Sequence, residues 1–117
     1  MAITDKSDKE IIEIVEPMIG EVINASNQKD WEVFSKYQTD EEASDPENRK
    51  NVERLWKESE LFTTLNPAGE ILGVLRRDDM AVVCWKQTSK KVPGEYLASY
   101  HIKEVNNEIK ELGFVII

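Results

Sequence analysis

The chain has 117 residues, of which 40% are hydrophobic and 32% charged. That balance implies neither disorder nor a membrane span, and it suits one domain, residues 1–117, that buries about two thirds of the surface its unfolded chain exposes. A formal net charge of -8 disfavours a nucleic-acid partner, because the phosphates would repel the molecule as a whole.

One cysteine, Cys84, and one histidine, His101, leave no internal disulfide and no zinc site of the usual Cys/His kind; no metal and no cofactor is expected. The first ten residues are polar and contain no apolar signal-peptide core, so the cytoplasm is the expected location. The charge is uneven. Residues 1–50 carry thirteen acids and six bases, against ten and nine in residues 51–117, which places the excess on the solvated faces of N-terminal helices.

Ser7 or Asp8 can cap a first helix, and Ile11, Ile12, Val15, Met18, Ile19, Val22 and Ile23 recur at three- and four-residue steps. The spacing predicts an amphipathic helix laid against something apolar, with a kink or a break at Pro17. Asn24 to Lys29 is polar and reads as a connector. Asp30 then caps a short helix that presents Trp31, Phe34 and Tyr37 on one face, a spacing that fits core packing. Thr39 to Asp45 is acidic and has no large apolar residue, as in a surface loop or a poorly ordered link. Asp45-Pro46-Glu47 has the form of a helix start, and Val52, Leu55 and Trp56 give that third helix its apolar stripe. Leu61 to Leu65 fits either its last turn or a short extended piece.

Asn66-Pro67-Ala68-Gly69 marks a turn, after which the period becomes extended. Four strands are predicted, at 71–77, 80–89, 95–105 and 108–117, joined by connections short enough for hairpins. The central segment Met80-Ala81-Val82-Val83-Cys84-Trp85 holds Cys84 as a small filler residue. Alternation puts Tyr96, Ala98, Tyr100 and Ile102 on the drier face of the third strand, and His101 on the other. Trp85 faces the core or a pocket. Both faces of this sheet carry apolar residues, which favours a second cover, namely dimerisation.

Helices followed by an antiparallel meander form an α+β layer arrangement. The order of the pieces, from Ile11–Ile23 through Lys29-Asp30-Trp31, Phe34 and Tyr37 to Val82-Val83-Cys84-Trp85-Lys86 and 107–114, resembles the nuclear transport factor 2-like superfamily, whose cone-shaped architecture ketosteroid isomerase and the SnoaL-like polyketide cyclases share. The resemblance implies two to three helices packed on a curved antiparallel sheet, a pocket between them, and a homodimer through the sheet. Tyr37, Trp56, Trp85 and Tyr100 are the candidate lining of such a pocket, which would take a small apolar ligand.

The resemblance also draws attention to Asp45. In ketosteroid isomerase an Asp-Pro pair after the second helix supplies the general base, and Asp45-Pro46 falls at a similar place. The oxyanion donors of that enzyme have no counterpart, since 11–23 has no tyrosine and 95–105 no aspartate. A helix cap explains Asp45-Pro46 without catalysis. Ser99 and His101 share a strand face without the sequence of a nucleophile elbow. Lys86, Lys90 and Lys91 read as solvated charges at a hairpin end. The expected function is therefore a homodimeric ligand-binding or interaction domain, with a small isomerase, cyclase or lyase using Asp45 or another pocket carboxylate as the alternative.

Overall fold

The computed structural model describes residues 2–117; Met1, which begins both the polar N-terminal stretch and the expected domain, lies outside them. Helices come first and a four-stranded antiparallel sheet follows. Helix α1 spans Asp8–Gln28. Ser7 caps it reciprocally: its Oγ accepts from the Glu10 amide at 3.2 Å, and the Glu10 carboxylate accepts from the Ser7 amide at 3.0 Å. Val15 lies buried before Pro17, and Met18 and Ile19 after it. The helix therefore stays docked through the proline and does not break into two.

Nor does α1 end at Ile23, because tertiary partners absorb the polar residues that would otherwise compete with the helix. The Asn27 side chain donates to the Leu65 carbonyl at 2.9 Å and accepts from its amide at 2.8 Å. Ser26 Oγ donates to the Phe62 carbonyl and accepts from Trp56 Nε1. Helix α2 is a single turn at Trp31–Phe34, capped by Asp30. The acidic 39–45 stretch is more ordered than a loop. Thr39 accepts from the Glu42 amide and starts a one-turn helix, α3, at Asp40–Ala43. Helix α4 covers Pro46–Glu58, followed by a 3₁₀ turn at Leu61–Thr63 and a bridge between Leu65 and Ser89.

Strands β1 (Ile71–Arg77), β2 (Met80–Gln87), β3 (Tyr96–Val105) and β4 (Glu108–Ile116) pair in chain order. All neighbours are antiparallel. Asn106 and Asn107 both take positive φ, 52° and 66°, as a two-residue hairpin turn requires. The alternation in β3 is as expected: Ala98, Tyr100 and Ile102 are buried under the helices, and His101 is on the other face. Cys84 is half-buried on that outer face and does not fill the core.

The ladder slips by one residue between β3 and β4. His101 pairs with Gly113 and Ile102 with Glu111, which leaves Leu112 as the extra residue. The bulge has a specific consequence: Glu111 and Phe114, an odd number of residues apart, both pair with residues of the helix-covered face.

The core lies between α1 and this face. The Trp85 and Phe114 rings stack with centroids 5.9 Å apart, Tyr100 meets Phe114 edge-on at 6.4 Å, and Phe34 meets Trp56 edge-on at 5.3 Å. No helix among the described residues is long and apolar enough to cross a membrane.

Candidate functional site

The four aromatic residues expected to line a pocket fall into two situations. Trp56, Trp85 and Tyr100 are buried, at 6%, 0% and 0% exposure, and pack on Phe34 and Phe114. Each indole N–H is committed within the protein, Trp56 to Ser26 and Trp85 to the buried Gln87 side chain at 2.7 Å. Gln87 is held in turn, donating to the carbonyls of Asn66 and Thr88. Tyr37 is half-buried, and its hydroxyl donates to Glu21 on α1. These side chains fill the space between helices and sheet.

Beside them lies a titratable cluster that alternation alone does not reveal. The β4 bulge sends Glu111 inward, where it is 2% exposed. Its amide donates to the Tyr37 carbonyl at 2.7 Å, and Gln38 forms a parallel bridge with it. Burial pushes the Glu111 carboxyl up to about 7; the Glu42 carboxylate adds to the rise, and the neighbouring Tyr100 hydroxyl offsets part of it. Tyr100 is itself raised, first by burial and then by the Glu111 charge. The two are neighbours without closing a hydrogen bond of normal geometry, and both the Tyr100 hydroxyl and Glu111 Oε1 are unpartnered. Glu21 is lowered instead, because Tyr37 and then Lys36 hydrogen-bond its charged form.

Asp45 is elsewhere. It is an exposed residue at the start of α4, with its Oδ1 accepting from the Glu47 amide at 3.0 Å. A general base for proton abstraction beside a carbonyl needs a water-poor site with a donor for the developing oxyanion, and an exposed N-cap offers neither. His101 faces Ser99 across 3.2 Å on the outer face, and burial holds its imidazole below the ordinary value. Among the described residues no cluster of three or more His, Cys, Asp or Glu side chains is placed to hold a metal ion.

Open space is found on the opposite flank of α1. A groove of about 520 Å³ runs between that helix and the segment leading into β1. Ile19 and Ile23 form one wall and Leu65 and Ile71 the other, with Gly20 between the first two. A Cβ built on Gly20 would meet nothing within 4 Å. Helix packing thus makes no demand for glycine here, although a mid-helix glycine costs about 1 kcal/mol relative to alanine.

Three polar side chains border the groove with capacity to spare: Glu16, Asn24 and Lys90. Glu16 belongs to the N-terminal half of α1. Lys90 lies at the other end, where its amide donates to the Thr64 carbonyl at 2.8 Å, near the Asn27–Leu65 pair. None of the four predicted pocket aromatics lines this groove. A second hollow, on α4, has only charged and amide side chains around it and no apolar wall.

Comparison with protein-family models, with curated proteins and with solved structures finds no match to this chain.

Proposed function

We propose that this protein is a non-catalytic binding domain of the nuclear transport factor 2-like type, which takes a small, elongated, mainly apolar ligand in the groove beside α1. One observation carries the reading: an open volume of about 520 Å³ with apolar walls, into which a mid-helix glycine projects no side chain. Volumes of roughly 300–1,000 Å³ are typical of small-molecule sites, and a few convergent polar groups on apolar walls complete the usual pattern. Helices preceding a curved antiparallel meander support the superfamily assignment. The isomerase reading loses support with Asp45 exposed, and the buried Glu111 lines neither of the two hollows described above.

Gly20→Leu fills the groove from its floor and should leave the fold intact, since the added carbon meets open space. Titration with the fluorescent apolar probe anilinonaphthalene sulfonate should give saturable enhancement with the wild-type chain and none with Gly20→Leu, whose melting temperature should be no lower than that of the wild type. Equal enhancement in both would refute the assignment.

The outer sheet face supports a second property, a homodimer. Leu75, Leu97 and Val115 are 48%, 42% and 45% exposed on that face. Ion pairs of both signs, Lys86–Glu95, Lys103–Asp79 and Lys110–Glu108, flank them, a mixed rim that can meet a two-fold copy of itself. Sedimentation should give a dimer for the wild-type chain and a monomer for Val115→Lys; a wild-type monomer at high micromolar concentration would refute it.

A further inference from the structure

The ligand class follows from the charges at the two ends of the groove, and the argument rests on the groove being the binding site. Glu16 and Lys90 are the charged residues of the lining. Counted along α1, Glu16 and Asn27 are eleven residues apart, so the groove is about 16 Å long at a helical rise of 1.5 Å per residue. Its middle is apolar: Ile19, Ile23 and Leu65 lie buried behind it, and Gly20, Pro67, Ala68 and the half-buried Ile71 form its open surface. The two ends differ in sign.

Lys90 is an exposed cation in a chain of net charge -8, and among the described residues it takes part in no ion pair. Lys91 beside it is likewise exposed and unpaired. The other three lysines on the strands and hairpins are matched: Lys86 with Glu95, Lys103 with Asp79 and Lys110 with Glu108. The Asn24 amide, also without a hydrogen bond among the described side chains, adds donors between Lys90 and the apolar floor. At the far end Glu16 presents a carboxylate and repels a second anion.

We propose that the groove binds an elongated monocarboxylate, with its hydrocarbon body over Gly20, Pro67, Ala68 and Ile71 and its carboxylate on Lys90. A dicarboxylate would place its second charge against Glu16, and an alkylammonium would meet the wrong end of the field. A neutral alcohol keeps the apolar contacts and loses the charged one.

The test uses four probes of one chain length, dodecanoate, dodecanol, dodecylammonium and dodecanedioate, each below its solubility limit and any micelle concentration, in calorimetric titrations of the wild-type chain, Lys90→Gln and Gly20→Leu. Dodecanoate should bind the wild type about fivefold more tightly than dodecanol, the size expected of a charge-assisted contact at a partly wet site. Lys90→Gln should bring dodecanoate down to the level of dodecanol and leave dodecanol unchanged. The dicarboxylate and the ammonium should bind no better than the alcohol. Gly20→Leu should abolish all binding.

Equal affinity for dodecanoate and dodecanol, or a preference that survives Lys90→Gln, overturns the carboxylate assignment while loss of binding in Gly20→Leu keeps the groove. Failure of every probe to bind the wild type, or binding that Gly20→Leu does not reduce, overturns both.

Discussion

Replacing Glu111 by glutamine should change how stability depends on pH more than any other single substitution in this protein. The carboxyl is 2% exposed, and burial lifts it from an ordinary value of 4.5 to about 7. The native state therefore keeps a proton that the unfolded chain releases above pH 4.5. The Glu111 contribution to stability therefore falls as pH rises from about 4.5 to about 7 and is constant above that range. The gap between the two values is worth about 3 kcal/mol at 1.36 kcal/mol per pH unit.

Glu111→Gln keeps the shape and removes the titration. It should match the wild type near pH 4.5 and exceed it by up to about 3 kcal/mol at pH 8. Glu42, whose carboxyl burial also raises, and Glu21, bound by Tyr37, face the same region from the helices and are present in both proteins. The difference between the two curves thus isolates Glu111. Urea denaturation followed by tryptophan fluorescence at steps from pH 4.5 to pH 8 measures it. Parallel curves, or a variant less stable than wild type at pH 8, would show that the carboxylate is accommodated in a way the buried, unpartnered geometry does not describe.

Asp45→Ala removes the cap of α4 and should cost about 1 kcal/mol in thermal or chemical denaturation, with groove binding untouched. A Cβ on Gly69 would sit 2.6 Å from the Lys86 carbonyl oxygen, so Gly69→Ala should destabilise by about 1–3 kcal/mol, whereas Gly20→Ala should stabilise by about 0.5–1 kcal/mol. A reversed order of those two melting temperatures would refute the packing described for the groove wall. Ser26→Ala leaves the buried Trp56 N–H without its acceptor and should cost about 1–3 kcal/mol; the same change in a Trp56→Phe background should cost less, read as a double-mutant cycle.

The strands were legible because their signals are local. The expected runs at 71–77, 80–89, 95–105 and 108–117 lie within two residues of the observed strands and are bounded by turn residues, and Asp78, Asn106 and Asn107 tolerate the positive φ that the hairpins use. Ser7 and Asp45 as caps rest on equally short-range bonds. What misled the reading of 24–28 was that its polar side chains are satisfied by residues more than thirty positions away, Asn27 by Leu65 and Ser26 by Phe62.

Glu111 escaped for a related reason. Strict alternation, counted back from Phe114 on the buried face, sends position 111 outward, and only the slip at Leu112 reverses it. No local feature at Glu111-Leu112-Gly113 requires that slip, although a glycine in a strand is a recognised companion of bulges. The groove was invisible for a different reason. Its walls come from one helix and one lead-in segment far apart in sequence, and Gly20 reads locally as a weak helix residue and nothing more.

The Arg76 guanidinium has a consequence for the behaviour of this protein in concentrated solution. β1 is an outer strand of the sheet, and an outer strand is a template on which another chain can pair. Arg76 donates to the carbonyls of Thr4 and Lys6 at 3.1 and 2.7 Å and pairs with Asp8 at 2.7 Å, tying the segment ahead of α1 to that strand while Ile3 is fully buried. The opposite outer strand, β4, is occupied at one point by the Gln38 bridge. Residues 2–7 are thus pinned beside that outer strand through its Arg76 side chain. A chain lacking them, or carrying Arg76→Ala, should nucleate aggregates sooner than the full chain does at the same concentration, even where both melt reversibly.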